Sequence, residues 1–504
     1  MDAEIKKAMP GLWLLSFSTF VVCVPAAFTQ ILSLDLMMDL NSFPTEGYAW
    51  TFPAFVGGEC ASMALFAGLM DSVGRKKPYL IGSVLFILSS IACAMSSDMS
   101  EFILFRVIEG FGAGIIIIAC IAQIYYDVPN PKLRYIANGI MSLGFGLGML
   151  VGVFLGKAII DGMGWELTFW AMAALQAIVT YPSLLTLSKG EPSSMKPDYP
   201  GAIILMFLSG FFVFFLQKLY LDWGPVSPEG LMGTALIVML IVALAVAESL
   251  NPNSIAHRKL DDKKLTAACL IFIIILGALD MAAVGSMIKI SFFTYQMSIL
   301  EVAPYFTIMV LGAATTAITI SKKIDKTGHL VWLLLSAVLT PIALLSMLLV
   351  KADDPSYIFA IHLFLLGLAI GCLVSMLNAT IQNRTDESNN SAIMGFAILI
   401  RTAALWLGYN FYQFITDQYM LNKLSPYVEH WNEIFPFDIP ADSMLANLLI
   451  TPMKELLKLL PGLTDAIADI YAEGMAQALV LGAIIFVAVA IPTAAILVGR
   501  RKTL

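Results

Sequence analysis

Apolar positions in this chain come in long unbroken blocks, separated by short polar connections. The blocks fall at 11 to 33, 48 to 70, 78 to 97, 100 to 123, 134 to 157, 166 to 188, 199 to 219, 229 to 249, 265 to 288, 299 to 320, 329 to 350, 356 to 380, 391 to 416 and 477 to 499. A helix rises about 1.5 Å per residue, so about 20 residues cross the roughly 30 Å of hydrocarbon in a bilayer. Each block therefore predicts one membrane-crossing helix, fourteen in all. The short alternating strands of a membrane barrel are not seen in the pattern. The fold class expected is an all-α polytopic membrane protein.

The polar connections fix an orientation. Cytoplasmic loops of membrane proteins are rich in Lys and Arg. With residue 1 in the cytoplasm, 20 of the 29 basic residues fall on the cytoplasmic side, among them Arg75, Lys76, Lys77, Arg134 and Arg384. Both termini are then cytoplasmic, as expected of a multi-pass protein of the cell (inner) membrane. The apolar run after Met1 to Lys7 continues to Leu34, which favours an uncleaved first helix over a cleavable signal. One hydrophilic stretch is long, 417 to 476, and lies outside; it reads as an amphipathic cap on the outer leaflet or as a partner-docking segment.

Composition agrees with burial in lipid: of 504 residues, 59% are hydrophobic and 13% charged, with a mean hydropathy of +0.84. The net charge of -7 gives no reason to expect nucleic acid. The six cysteines sit inside apolar blocks without metal-ligand spacing, so neither disulfide nor metal is expected. No nucleotide-binding glycine loop and no nucleophile–base pair is visible, which argues against an enzyme and against any cofactor. The expected energy source is an ion gradient.

Away from the ends of the apolar blocks stand five charges: Glu59, Arg106, Glu109, Asp280 and Arg401. Ionisable groups in a membrane are costly and are functional by default. Arg106 and Glu109 are one turn apart and should pair, either as a structural lock or as a proton site. Asp280 is a candidate partner for Arg401. Glu59, Glu109 and Asp280 are the candidate proton-coupling acids. Arg106, Arg401, Gln123, Asn378, Tyr409 and Gln413 are the candidates for a central cavity, although each of the four uncharged ones reads first as a satisfied contact between two helices. Gly144, Gly146, Gly148, Gly152 and Gly156 are spaced for close helix contact.

Between the second and third blocks, Ala67-Gly68-Leu69-Met70-Asp71-Ser72-Val73-Gly74-Arg75-Lys76-Lys77 forms a tight polar hinge, and a fainter copy with Asp325 spans 321 to 329. The first resembles the G-x-L-x-D-x-x-G-R-K/R loop of the major facilitator superfamily, with Ala67 in place of its first glycine. Arg106 to Gly112 resembles the superfamily's R-x-x-Q/E-G-x-G motif. The blocks split six, two and six, with Tyr199-Pro200-Gly201 opening the extra pair and Asp222-Trp223 in its short outer loop, which resembles the fourteen-helix drug:proton antiporter branch. Departures are Val153 and Lys157 within that branch's G-P-x-x-G-G signature, and Ala26 where relatives carry an acid that Glu59 could replace.

The resemblance implies two six-helix bundles plus two extra helices. The domains would be 1–190 and 265–504, with residues 191–264 linking them and the outer loop 417–476 before the last helix. It implies alternating access, with Asp71, Gly74, Arg75 and Asp325 at a cytoplasmic gate and Asp71 near the start of the thirteenth helix, around Asn390 and Ser391. The expected activity is proton-coupled export of amphipathic, drug-like molecules by a monomer. The expected partners are a small-molecule substrate, protons and the lipid bilayer. The alternatives are a carrier of an organic anion or lipid-like solute, and a non-transporting scaffold or sensor acting through 417–476.

Overall fold

The computed structural model describes residues 3–29, 36, 39–40, 48–131, 133–187, 197–221, 223–254, 257, 263–293, 295, 297, 299–327, 329–350, 354–386, 389–434 and 463–499. Fourteen long helices follow one another among these residues, each overlapping one predicted block. They are α1 (Ala3–Phe28), α2 (Thr51–Val73), α3 (Lys76–Ala94), α4 (Met99–Asp127), α5 (Arg134–Met163), α6 (Glu166–Thr186) and α7 (Tyr199–Leu221), then α8 (Pro228–Leu250), α9 (Lys263–Phe293), α10 (Ile299–Thr327), α11 (His329–Ser346), α12 (Ser356–Gln382), α13 (Asn390–Ile434) and α14 (Leu463–Gly499). Eleven carry a segment long and apolar enough to cross a membrane, and α10, α11 and α12 carry shorter apolar segments. No strand occurs among the described residues.

Local chemistry sets the helix ends. The Asp98 carboxylate starts α4 by accepting from the N–H groups of Ser100 and Glu101 at 2.8 and 3.0 Å, which satisfies donors that have no partner in a first turn. Gly74 ends α2 with φ of 78°, a conformation that is strained for any residue with a Cβ. The reversal into α3 takes two residues, Gly74 and Arg75.

Packing repeats with an offset of eight helices. In the first half α1 packs on α5 and α6, α2 on α4, and α3 on α4 and α6; in the second, α9 packs on α13 and α14, α10 on α12, and α11 on α12 and α14. Each half has its own buried apolar core. The halves meet where α2 crosses α13 and α5 crosses α10. The extra pair stands apart from the repeat: α7 packs against both α2 and α13, and α8 packs against α7.

The glycines of α5 do two different jobs. A methyl group on Gly144, Gly148 or Gly152 would meet the backbone carbonyl of Ser16, Phe20 or Val24, each one turn further along α1. This i, i+4 stripe lets α1 and α5 touch backbone to backbone. Gly146 points elsewhere, toward Val310 of α10 in the other half, where an added Cβ would make an ordinary contact at 3.9 Å.

The stretch from 417 to 476 departs from a plain loop. α13 continues as helix to Ile434 and α14 already begins at Leu463. The amphipathic pattern at 453–460 lies outside the described residues.

Candidate functional site

The two halves enclose a cavity of about 260 Å³ between them. Its wall is apolar and aromatic, with Phe52, Phe55 and Val56 from α2, Phe145 and Met149 from α5, Phe306, Met309 and Val310 from α10, and Leu405 and Trp406 from α13. Among the described residues two formal charges interrupt it, Glu59 from α2 and Arg401 from α13. A second chamber of about 40 Å³ shares both charges and is lined further by Thr19, Asn138 and Asn378.

The sequence around Glu59 explains how the carboxylate gets there. A methyl group on Gly58 would collide with the Val107 carbonyl of α4, and one on Gly110 with the Phe55 carbonyl of α2. Only glycines allow that approach, which turns one side of α2 onto α4. Glu59, about 100° further round the helix, is left on the cavity side and is 7% exposed. Three contacts fix the register of α2 against α13. A Cβ on Gly395 would touch Ala67, the Thr402 hydroxyl lies 3.8 Å from the Met63 sulfur, and the Phe52 and Trp406 rings are 5.6 Å apart. Glu59 and Arg401 therefore stand at the same level on opposite halves. The guanidinium of Arg401 also lies 5.7 Å from the centre of the Phe145 ring. Ala67, which replaces the glycine of the family loop, is matched by a glycine at the position it touches.

Arg106 and Glu109 pair as expected, yet they lie outside the cavity wall. Both are fully buried. Arg106 Nη1 donates to the Glu109 carboxylate, Nε donates to the Thr51 carbonyl at 3.2 Å, and Nη2 donates to the Pro25 carbonyl and the Thr29 hydroxyl at 3.4 and 3.3 Å. Glu109 accepts a further bond from the Ser90 hydroxyl at 2.5 Å. One polar cluster thus ties α1, α2, α3 and α4 together. Its link to the cavity is indirect, because the Arg106 guanidinium sits 4.5 Å from the centre of the Phe55 ring, whose side chain lines the wall.

At the Gly74 end the halves are latched. Asp71, 6% exposed, accepts from the N–H groups of Ser391 and Ala392 at 3.1 and 3.0 Å. A carboxylate there satisfies two first-turn donors of α13 and meets the positive end of its dipole. A second latch of opposite sign stands beside it. Arg134, at the start of α5, donates to the Gln382 carbonyl and the Asn383 side-chain oxygen at 3.3 and 3.0 Å, at the negative C-terminal end of α12. Asn138 Nδ2 donates to Gln382 Oε1 at 2.8 Å, and Gln382 Nε2 donates to the Ile121 carbonyl at 3.2 Å. Arg75 lies flat on Tyr126, 3.4 Å from the ring centre.

Several residues expected at the cavity are placed elsewhere. Arg106 serves the cluster above. Gln123 donates to Asp127 at 2.7 Å near the Gly74 end. Tyr409 stacks on Trp406 at 5.4 Å, and Gln413 is buried one turn further along α13. Neither contributes to the wall. Asn378 lines the smaller chamber only. The side chains of Asp280 and Asp325 lie outside the described residues, and so does the expected Asp280–Arg401 pair. Nothing in the sequence singles out the aromatic wall, because Phe and Met abound in every block. Arg134 stands in the sequence only as one loop charge among many, although it is 5% exposed. Among the described residues no group of three or more His, Cys, Asp or Glu comes together as metal ligands.

A profile described as Major Facilitator Superfamily matches residues 11–409. Multidrug resistance protein 3 of Bacillus subtilis (strain 168) is 22% identical over 402 residues, 78% of this chain and 76% of that protein. Drug efflux pump JefA of Mycobacterium tuberculosis (strain ATCC 25618 / H37Rv) is 30% identical over 164 residues, 32% of each chain. Among solved structures, the human organic anion transporter MFSD10 (TETRAN) superposes with a TM-score of 0.57 at 14% identity, covering 96% of this chain and 100% of that one, which shows a shared fold. A repeat of six helices, a cavity between the halves and a profile match across most of the length agree: the chain belongs to the Major Facilitator Superfamily and is a membrane-spanning transporter, not an enzyme.

Proposed function

We propose that this protein exports amphipathic, drug-like molecules in exchange for protons. The observation that carries the reading is the position of Glu59, the one described carboxylate in the wall of an otherwise apolar cavity shared by both halves. A proton and a cationic group cannot both neutralise one carboxylate. Binding of either therefore displaces the other, and their competition is what converts a proton gradient into movement of solute. The names of the curated relatives, a multidrug resistance protein and a drug efflux pump, support the same class of cargo.

The latched Gly74 end is the cytoplasmic end in this reading, supported by the basic residues Arg75, Lys76 and Lys77 beside it. Both termini then lie in the cytoplasm of a cell with the protein in its inner membrane. Residues 1–190 and 265–504 rock about the central site as a monomer, with 191–264 between them, and no cofactor takes part. Arg401 in the wall favours one alternative cargo, an organic anion taken together with a proton on Glu59.

Purified protein in liposomes holding a pH-sensitive dye tests the reading. Addition of a lipophilic cation such as ethidium should release protons from the wild-type protein, and Glu59→Gln should abolish the release while the protein remains folded by size-exclusion profile. Release that persists in Glu59→Gln would sink the assignment.

A further inference from the structure

We propose that the smaller chamber is a water site through which Glu59 passes its proton toward the Gly74 end, so that proton and solute meet this carboxyl group on different sides. The inference rests on the transport reading above and gives its proton a route. The chamber shares Glu59 with the cavity and continues from it in one direction. On α2 its wall passes from Glu59 to Met63, on α4 from Ile117 to Ile121, and on α1 it takes Thr19 where the cavity takes Val22. Each step runs toward the Gly74 end. There α2 finishes, α4 brings Tyr126 under Arg75, and α1 starts alongside the Arg134 end of α5. The lining changes character on the way: Thr19, Asn138 and Asn378 line this chamber and not the apolar cavity.

Asn138 shows what the chamber is made to hold. Its Nδ2 donates to the Arg134 carbonyl at 2.9 Å and to Gln382 Oε1 at 2.8 Å. A backbone carbonyl can only accept, which fixes the orientation of the amide and leaves Oδ1 as an acceptor. Asn138 is 1% exposed, and its Oδ1 has no partner among the described residues. Buried acceptors in folded proteins are nearly always satisfied by protein or by ordered water. The hydroxyls of Thr19 and Ser142, also in this wall, donate within their own helices, to the Leu15 carbonyl at 3.1 Å and the Asn138 carbonyl at 2.9 Å. They too present lone pairs to a donor. A volume of about 40 Å³ holds about three waters at roughly 10–15 Å³ each.

Water bound in so small a space bridges Glu59 and Asn138. The Glu59 carboxyl group gives its proton to a water oxygen and stays behind as carboxylate, and each water passes one proton on to the next. The chain ends at the latch, where Gln382 holds Asn138 on one side and the Ile121 carbonyl, at 3.2 Å, on the other. A closed latch therefore keeps the proton with Glu59, and an open one joins the chain to the cytoplasm. Entry of a cationic solute from the cavity then expels the proton through the chamber.

Drying the chamber tests this without touching the latch or the cavity wall. Thr19→Val keeps the shape of the side chain and removes a lone-pair donor to water, and Asn378→Leu puts an apolar side chain into the space. Full-length protein in liposomes with a trapped pH dye is mixed rapidly with ethidium, and ethidium binding is measured separately by its own fluorescence. In the double variant, proton release should slow about a hundredfold, the lower end of what positioned proton transfer contributes, while ethidium binds with wild-type affinity. Thr19→Val alone should slow release less than the pair, and Asn378→Ser, which leaves room for water, should release protons at the wild-type rate. A double variant that folds by size-exclusion profile and releases protons at the wild-type rate overturns the inference and leaves the transport reading standing. Ethidium affinity that falls in step with release assigns the chamber to the solute and also overturns it. So does release that needs sodium chloride and stops in N-methylglucamine chloride, which would give the chamber to a sodium ion. Absence of ethidium-driven release from the wild-type protein overturns the transport reading itself.

Discussion

Three acids deep inside the apolar blocks, Glu59, Glu109 and Asp280, look alike as letters, and the structure separates the two whose side chains it describes. Glu59 faces the cavity; Glu109 is locked to Arg106 and Ser90 within the α1–α4 cluster. Burying a charge pair is tolerable only while every member is satisfied, so the Glu109→Gln change leaves Arg106 as an uncompensated buried cation and should cost about 3–5 kcal/mol. Glu59→Gln removes a charge from the edge of a cavity and should leave the fold nearly intact. Thermal unfolding of the two variants in detergent checks this: a drop of many degrees is expected for Glu109→Gln and little change for Glu59→Gln. Equal melting temperatures would place the cluster outside the stability of the fold. The sequence revealed that Arg106 and Glu109 pair, because a spacing of three residues dictates it. It could not reveal on which side of α4 the pair lies, because that depends on how α1, α2 and α3 close around it.

The helix is the scale at which the latches act. Asp71 meets the N-terminus of α13 and Arg134 meets the C-terminus of α12, so each charge is matched to the end of a helix dipole across the gap between the halves. A carboxylate at a helix N-terminus contributes about 0.3–1 kcal/mol from the dipole, and its charge-assisted bonds to N–H groups add more. Asp71→Asn keeps the size of the side chain and one acceptor oxygen but removes the charge. It should shift the population toward states open at the Gly74 end. Spin labels on the two halves at that end should report longer distances by pulsed spectroscopy, whereas an unchanged distribution would remove Asp71 from the gate. Of the two latches only the first was legible in the sequence. Asp71 stands in a recognisable loop, and its acid and the unpaired donors of a helix start make a complementary pair that can be reasoned about without coordinates. Arg134 sits among loop charges that set topology, and nothing in its neighbours distinguishes a buried guanidinium from a solvated one. The apolar blocks predicted all the helices for a similar reason: crossing lipid constrains length and composition, both of which are written in the chain. Which face of each block looks at the cavity is set by packing and is not.

At the scale of the whole molecule, the repeat with an offset of eight helices leaves α7 and α8 without counterparts, and α7 is seated against both moving halves. Its two attachments differ in kind. Against α2 it packs closely, with Gly57 approaching Val213 and a Cβ on Gly210 falling 3.7 Å from that of Ala61. Against α13 its hydrogen bonds include two, from the Trp406 indole to the Val213 carbonyl at 3.3 Å and from Tyr220 to the Asp417 carboxylate at 2.6 Å. Close packing is lost all at once when helices separate, whereas hydrogen bonds can be exchanged for others, so α7 should travel with α2 and shift against α13 as the halves rock. A pair of cysteines tests this, because Cβ atoms about 3.5–4.5 Å apart accept a disulfide without backbone movement. In a background lacking the native cysteines, Ala61→Cys with Gly210→Cys should cross-link α2 to α7 and leave transport intact. Gly146→Cys with Val310→Cys, when oxidised, joins α5 to α10 across the cavity, at positions where a Cβ on Gly146 comes 3.9 Å from the Cγ2 methyl of Val310. That cross-link should arrest transport until a reductant is added. Arrest by the first pair would instead make α7 a sliding element between the halves, and continued transport with the second pair oxidised would remove rocking at the α5–α10 crossing from the mechanism.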